Sequence, residues 1–149
     1  MKIGIISDHR GYKTKMEIIK HFKNTDHIIK DYGTKSKEVT DYPKYAFILA
    51  NKINEKDVEI GIAICGSGIG MSIACNKVRD IRCAHVHNYK EAELARFHND
   101  ANVIALSSKI PIFKIKKILK KFINTDFSDE KRHHKRIQMI SDYEKKEKI

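Results

Sequence analysis

Residues 60–77 read I-G-I-A-I-C-G-S-G-I-G-M-S-I-A-C-N-K. Ile60, Ile62, Ala63 and Ile64 form a short apolar run of the length of an interior parallel strand, and Gly66, Gly68 and Gly70 then permit close backbone approach and positive φ. Met71 to Lys77 has the pattern of the helix that follows. A buried strand, a glycine turn and a helix in succession point to a parallel α/β sheet. The same arrangement delivers Cys65 onto the turn, where the unpaired N–H groups and partial positive charge of a helix N-terminus favour a thiolate or a bound anion.

Familiar glycine motifs do not fit this turn. A dinucleotide fingerprint wants glycine where Met71 stands, and a phosphate loop of the Walker type wants Lys and Ser or Thr after its last glycine. A hydrolase elbow wants its serine one place later than Ser67. The turn is therefore read by its own chemistry, as a candidate acid–base site built around Cys65.

Working outward, apolar runs and helical patterns alternate along the whole chain. Strands are expected at Ile3–Ser7, Ile28–Asp31, the run ending at Cys65, Arg82–Val86 and Asn102–Leu106. Helices are expected around Tyr12–Phe22, around Tyr45–Ile53 after Pro43, and at Tyr89–Phe97. Two more close the chain, one from about Ile112 to Phe122 and one starting near Ser128. Asp129 and Glu130 fall in the first turn of the last helix, and Arg132, Arg136 and Ile140 follow at successive fourth positions. The 149 residues suit a single α/β domain without repeats or linkers.

The net charge of +11 raises the question of nucleic acid. From Lys109 onward there are thirteen Lys or Arg against six Asp or Glu, so most of the excess lies in the tail. Lys114, Lys116, Lys117, Lys120 and Lys121 alternate with Ile112, Ile115, Ile118, Leu119 and Phe122 as the wet face of an amphipathic helix should. No nucleic-acid motif accompanies them. The three cysteines, odd in number and widely spaced, argue against disulfides and a zinc ribbon. No apolar run is long enough for a membrane span, and the chain opens directly into a strand, so a cytoplasmic protein is expected.

Ligands of such sheets bind beyond the carboxyl ends of the strands. Asp8, His9, Asp41, Tyr42 and Cys65–Gly70 are expected there, and His98, Asn99 and Asp100 are grouped with them. Taken singly, each has a structural explanation as cap, turn former or packing residue. Cys83, His85 and His87 alternate along one strand, but no carboxylate has metal-site spacing with them, so a metal hydrolase is disfavoured. Cys75 and Cys83 read as small packing residues. A thiol redox sensor or a basic nucleic-acid-binding protein is the alternative of a different class.

The segments S-D-H-R-G at 7–11, D-Y-P at 41–43, I-C-G-S-G-I-G-M-S-I-A-C-N-K at 64–77, H-N-D-A-N-V at 98–103 and R-H-H-K-R at 132–136 together resemble type B ribose-5-phosphate isomerases. That family also includes allose-6-phosphate and galactose-6-phosphate isomerases. The resemblance runs almost end to end. It implies a three-layer Rossmann-like α/β sandwich with a five-stranded parallel sheet. Residues 1–149 would form one sugar-phosphate isomerase domain, its C-terminal helix (126–149) packing on the partner subunit of a homodimer or tetramer.

The implied reaction interconverts ribose 5-phosphate and ribulose 5-phosphate, a step of the pentose phosphate pathway, through a cis-enediolate without metal or organic cofactor. By the resemblance, Cys65 is the base, Ser67 relays a proton between sugar oxygens, and His98 with Asp8 opens the furanose ring. Gly66, Gly68, Ile69 and Gly70 contribute the cradle that holds the enediolate oxygen. Tyr42 and Asn99 position substrate, and His9, Arg132 and Arg136 bind phosphate, the arginines acting across the interface. Lys109 stands where arginine is expected in relatives, and a point charge does not reproduce a planar fork.

Overall fold

A computed structural model describes residues 1–146. The order is β1 (Lys2–Ser7), α1 (Tyr12–Phe22), β2 (Ile28–Asp31), α2 (Tyr42–Asn54), β3 (Ile60–Cys65), α3 (Ile69–Cys75), β4 (Cys83–His85), α4 (Tyr89–Asn99), β5 (Val103–Ser107), α5 (Ile112–Ile123) and α6 (Lys131–Lys146). All pairings are parallel, and the spatial order is β2-β1-β3-β5-β4. The chain is thus a Rossmann-like α/β fold with a five-stranded sheet. From β1 it winds one way to β2, and from β3 the other way. The direction reverses between β1 and β3, which makes the carboxyl ends of those strands the expected ligand crevice.

Strand alternation sends large and small residues to different faces. Ile3, Ile5, Ile60, Ile62, Ile64, Ile104 and Leu106 pack against Ile18 and Phe22 of α1, Ala92 and Ala95 of α4, and Ile115, Ile118, Leu119 and Phe122 of α5. The opposite face carries Ile6, Ala63, Cys65, Val103 and Ala105 under Ala46, Leu49 and Ala50 of α2 and Met71, Ala74 and Cys75 of α3. Gly4 and Gly61 lie on this second face, where an added Cβ would come within 2.6 and 2.8 Å of Leu49 carbons. Their lack of side chains lets α2 approach the sheet closely.

Strand starts shift by at most a single residue, but three helix starts differ more from those read in the sequence. Helix α2 begins at Tyr42, with Pro43 inside its first turn, rather than after Pro43. Helix α3 begins at Ile69 rather than Met71, because Gly68 takes φ 82° and turns the chain straight into the helix. Helix α6 begins at Lys131 rather than near Ser128. The Ser128 hydroxyl accepts the Glu130 N–H at 3.0 Å, and the Ser128 N–H donates to the Phe97 carbonyl at 3.0 Å. Those bonds tie a turn to the end of α4 before the helix starts, and leave Asp129 and Glu130 outside it. Residues 147–149 of the expected C-terminal helix lie outside the described residues.

Buried charge fixes the loop that follows β2. Lys15 of α1 is fully buried, and its ammonium donates to both Asp31 carboxylate oxygens at 2.6 Å and to the Thr34 carbonyl at 2.7 Å. The Gly33 carbonyl and Thr34 N–H bond in turn to Ser7 at the end of β1. This staple holds the approach to the β1 side of the crevice. No helix among the described residues is long and apolar enough to cross a membrane.

Candidate active site

Cys65 is the last residue of β3, paired with Ser107 of β5, and is buried at 5% exposure. It packs in the core layer beneath α2 and α3, and the Gly68 N–H donates to its sulfur at 3.1 Å. Gly68 must be glycine for this geometry. Besides its positive φ, a Cβ there would lie 2.8 Å from the His85 ring and 2.9 Å from the Leu106 carbonyl carbon. An amide hydrogen aimed at sulfur from a helix entrance stabilises negative charge on that sulfur.

The Gly66–Gly70 cradle is smaller than five free amides. Gly68 N–H is taken by Cys65, and Ile69 N–H donates to the Ser67 hydroxyl at 3.2 Å. Ser67 is exposed at the rim, able to exchange that contact for a substrate oxygen. The Gly66 carbonyl accepts the Ser107 hydroxyl at 2.8 Å, and Ser108 N–H bonds to the Cys65 carbonyl at 2.9 Å. These bonds bring the loop carrying exposed Lys109 beside the cradle.

From β1, Asp8 is buried and accepts the Gly11 N–H at 2.9 Å, while its own N–H bonds to the Ile64 carbonyl at 3.1 Å. It fastens the β1–α1 turn onto the end of β3. His9 Nδ1 accepts the Thr40 N–H at 3.3 Å. That leaves the proton on Nε2, as a donor to a ligand. Tyr42, the first residue of α2, lies over Gly70, where a Cβ would stand 2.7 Å from its ring. Asp8, His9, Tyr42, Cys65, Gly66, Ser67, Gly68, Ile69, Gly70 and Lys109 therefore share the carboxyl edge of the sheet.

His98, Asn99 and Asp100 do not, which corrects the expected grouping, and Arg132 and Arg136, expected to act across the interface, lie away from that edge too. His98 and Asn99 end α4 and lead into β5, and in a parallel sheet a residue leading into a strand sits at its amino end. Val103 opens β5 opposite Gly61, four residues before Cys65, a distance of about 13 Å along the strand. His98 lies further back still, so within one chain it meets neither Asp8 nor Cys65. Asn99 is exposed there, its carbonyl accepting from Arg82 at 2.9 Å. Helix α6 follows the same edge. His133 at its start stacks on His98 with ring centroids 4.5 Å apart, and Glu144 near its end accepts the Asp80 N–H at 3.0 Å. Arg132 and Arg136 are exposed on it, with Arg132 bonded to Glu130.

Three participants went unread in the sequence. His85 on β4 places Nε2 2.9 Å from the Ser67 carbonyl and braces the turn under Gly68. Its place depends on β4 joining the sheet beyond β5, which no local pattern announces. Thr40 orients His9 from a polar loop. His133, inside the quoted R-H-H-K-R segment, is 2% exposed, and burial pushes its imidazole below the ordinary range.

The site so described stands in a chain whose relatives are readily found. A ribose-5-phosphate isomerase B of Mycobacterium leprae is 34% identical over 147 residues, covering 97% of this chain and 91% of the relative. A structure of Clostridium thermocellum ribose-5-phosphate isomerase B superposes with a TM-score of 0.95 at 39% identity, covering 98% and 99% of the two chains. The Mycoplasma genitalium enzyme of that name, solved with bound ribulose 5-phosphate, gives 0.90 at 39% identity over 97% and 96%. Residues 3–140 match the Ribose/Galactose Isomerase family, and the chain belongs to that family.

Proposed function

We propose that this chain interconverts ribose 5-phosphate and ribulose 5-phosphate with Cys65 as the base. The supporting observation is the Cys65 sulfur, capped by the Gly68 N–H at 3.1 Å, at the crevice where the strand order reverses. The similarity to ribose-5-phosphate isomerases, one of them bound to ribulose 5-phosphate, adds the substrate. In the forward direction the thiolate takes the proton from C2 of the open-chain aldose. Charge then moves to the C1 oxygen, where the remaining cradle donors can stabilise it. Loss of a single donor of this kind elsewhere slows turnover about a hundredfold or more. Ser67 passes a proton between O1 and O2, and Cys65 returns its proton to C1 to give the ketose.

The second part of the reading is that the site is completed by another copy of the chain. Its support is the separation of the residues into two sets at opposite edges of one sheet. One holds base, relay and cradle; the other holds His98, Asn99, Arg132 and Arg136. A two-fold pairing that sets one edge against the other forms two identical sites. His98 then opens the sugar ring across the interface, beside the partner's Asp8, and Arg132 and Arg136 reach the phosphate near the partner's His9. Exposed apolar residues suit this face: Ile69 and Ile73 on α3 beside the cradle, and Met139, Ile140 and Tyr143 on α6.

Cys65, His98 and both arginines occur in a single chain, which favours ribose 5-phosphate over the role of one subunit in a two-chain galactose-6-phosphate enzyme. Three free cysteines suit a reducing cytoplasm. The test is an isomerase assay in EDTA with ribose, allose and galactose phosphates. Turnover of ribose 5-phosphate, its loss in Cys65→Ala and retained substrate binding by that variant are expected. No turnover of any of the three sugars would reject the isomerase, and full activity of Cys65→Ala would reject the base.

A further inference from the structure

Arg10 has no role in the chemistry described above, yet it occupies the mouth of the same crevice. Asp8 pins the β1–α1 turn at both ends, through the Ile64 carbonyl and the Gly11 N–H. The residue between His9 and Gly11 is thereby carried over the next strand's turn. Arg10 lies across Gly66: an ideal Cβ on Gly66 would stand 2.9 Å from its Cδ and 3.6 Å from its Nη1. The guanidinium is thus beside the cradle and one residue from the base, and Arg10 is exposed.

Its lack of a carboxylate sets it apart from arginines that serve the fold. Arg82 and Arg96 both hold Asp100. Among the described residues, Arg10 has no ion pair. Its polar neighbours on this edge are His9, with Nε2 left as a donor, exposed Lys109, and Asp8, whose carboxylate is buried and committed to Gly11. An arginine with no carboxylate partner, lying over bare glycine backbone on the edge that also carries His9 and Lys109, is suited to a small oxyanion. Guanidinium binds such anions with two parallel N–H bonds.

We propose that Arg10 binds the phosphate of the sugar phosphate from the same chain that supplies Cys65, opposite the arginines of α6. The inference rests on the isomerase reading for its ligand. It assigns the phosphate a grip from both subunits: His9 and Arg10 on one side, Arg132 and Arg136 on the other.

Inorganic phosphate is the probe, because its binding needs no turnover. Calorimetric titration of the full chain should show the phosphate Kd rising about tenfold or more in Arg10→Gln and by less in Arg10→Lys, with KM for ribose 5-phosphate rising in parallel. Arg10 is exposed, so both variants should fold, and circular dichroism checks this. An unchanged phosphate Kd in Arg10→Gln, or no phosphate binding by the wild-type chain, overturns the proposal. A fall in kcat with phosphate binding intact also overturns it, since the guanidinium would then act at the reacting carbons. If phosphate binding depends on Arg10 but ribose 5-phosphate is not turned over, the isomerase reading fails and the anion site stands.

Discussion

The imidazole of His98 rests against that of His133 with ring centroids 4.5 Å apart and planes inclined at 44°. This pair lies at the amino edge of the sheet, whereas Cys65 ends β3 at the carboxyl edge. The ring-opening acid and the proton-abstracting base assigned to one reaction are therefore on opposite sides of the molecule. A second copy of the chain is the simplest way to join them.

Complementation tests that arrangement directly. Cys65→Ala and His98→Asn should each be inactive alone. Unfolded together in equal amounts and refolded, they should recover about a quarter of wild-type activity, because half the dimers are mixed and each mixed dimer has one intact site. Recovery absent despite demonstrated subunit mixing would place both residues in the same site of one chain.

His133 should make stability depend on pH. Burial depresses its pKa below the ordinary 6.5; Glu130 opposes the shift, and His98, Arg132 and Arg136 reinforce it. The folded state then binds fewer protons than the unfolded chain in the window below 6.5, so this contribution is complete above that pH and is lost as pH falls through the window. Thermal melts from pH 7.5 to 5 should show the wild-type Tm falling more steeply than that of His133→Phe. Parallel curves would contradict it.

Gly68→Ala should damage both fold and turnover. The left-handed backbone costs an L-residue about 1–2 kcal/mol, and the contacts with His85 and Leu106 add to this. Displacement of the Gly68 N–H from sulfur should lower kcat as well. Urea denaturation and steady-state kinetics read the two effects; wild-type values in both would show the turn tolerates a side chain.

Lys15→Met should destabilise the chain by about 2–4 kcal/mol, toward the lower end because Asp31 is partly solvated. The substitution keeps the buried stem but takes the ammonium from the Thr34 carbonyl and from Asp31, whose carboxylate then keeps only the Gly33 N–H. Denaturant unfolding measures the loss, and a variant as stable as wild type would show the staple to be energetically neutral.

The sequence by itself determined the fold class, nearly every element and the identity of the residues with chemistry to offer. Hydrophobic period and glycine punctuation are local properties, and the run from Ile60 to Gly70 shows both. Element starts moved for local and distant reasons alike: the positive φ of Gly68 advanced α3, and the Ser128 bond to Phe97 delayed α6. What only the tertiary structure decided was which residues meet. The order β2-β1-β3-β5-β4 put His85 under the Ser67 turn and fixed the crevice between β1 and β3. The parallel direction of β5, which α4 leads into, put His98 at the far edge, and the contacts of α6 with His98 and Asp80 carried its arginines there. Pairing order and edge depend on contacts between segments distant along the chain, and a periodicity of two or of 3.6 residues carries no record of them.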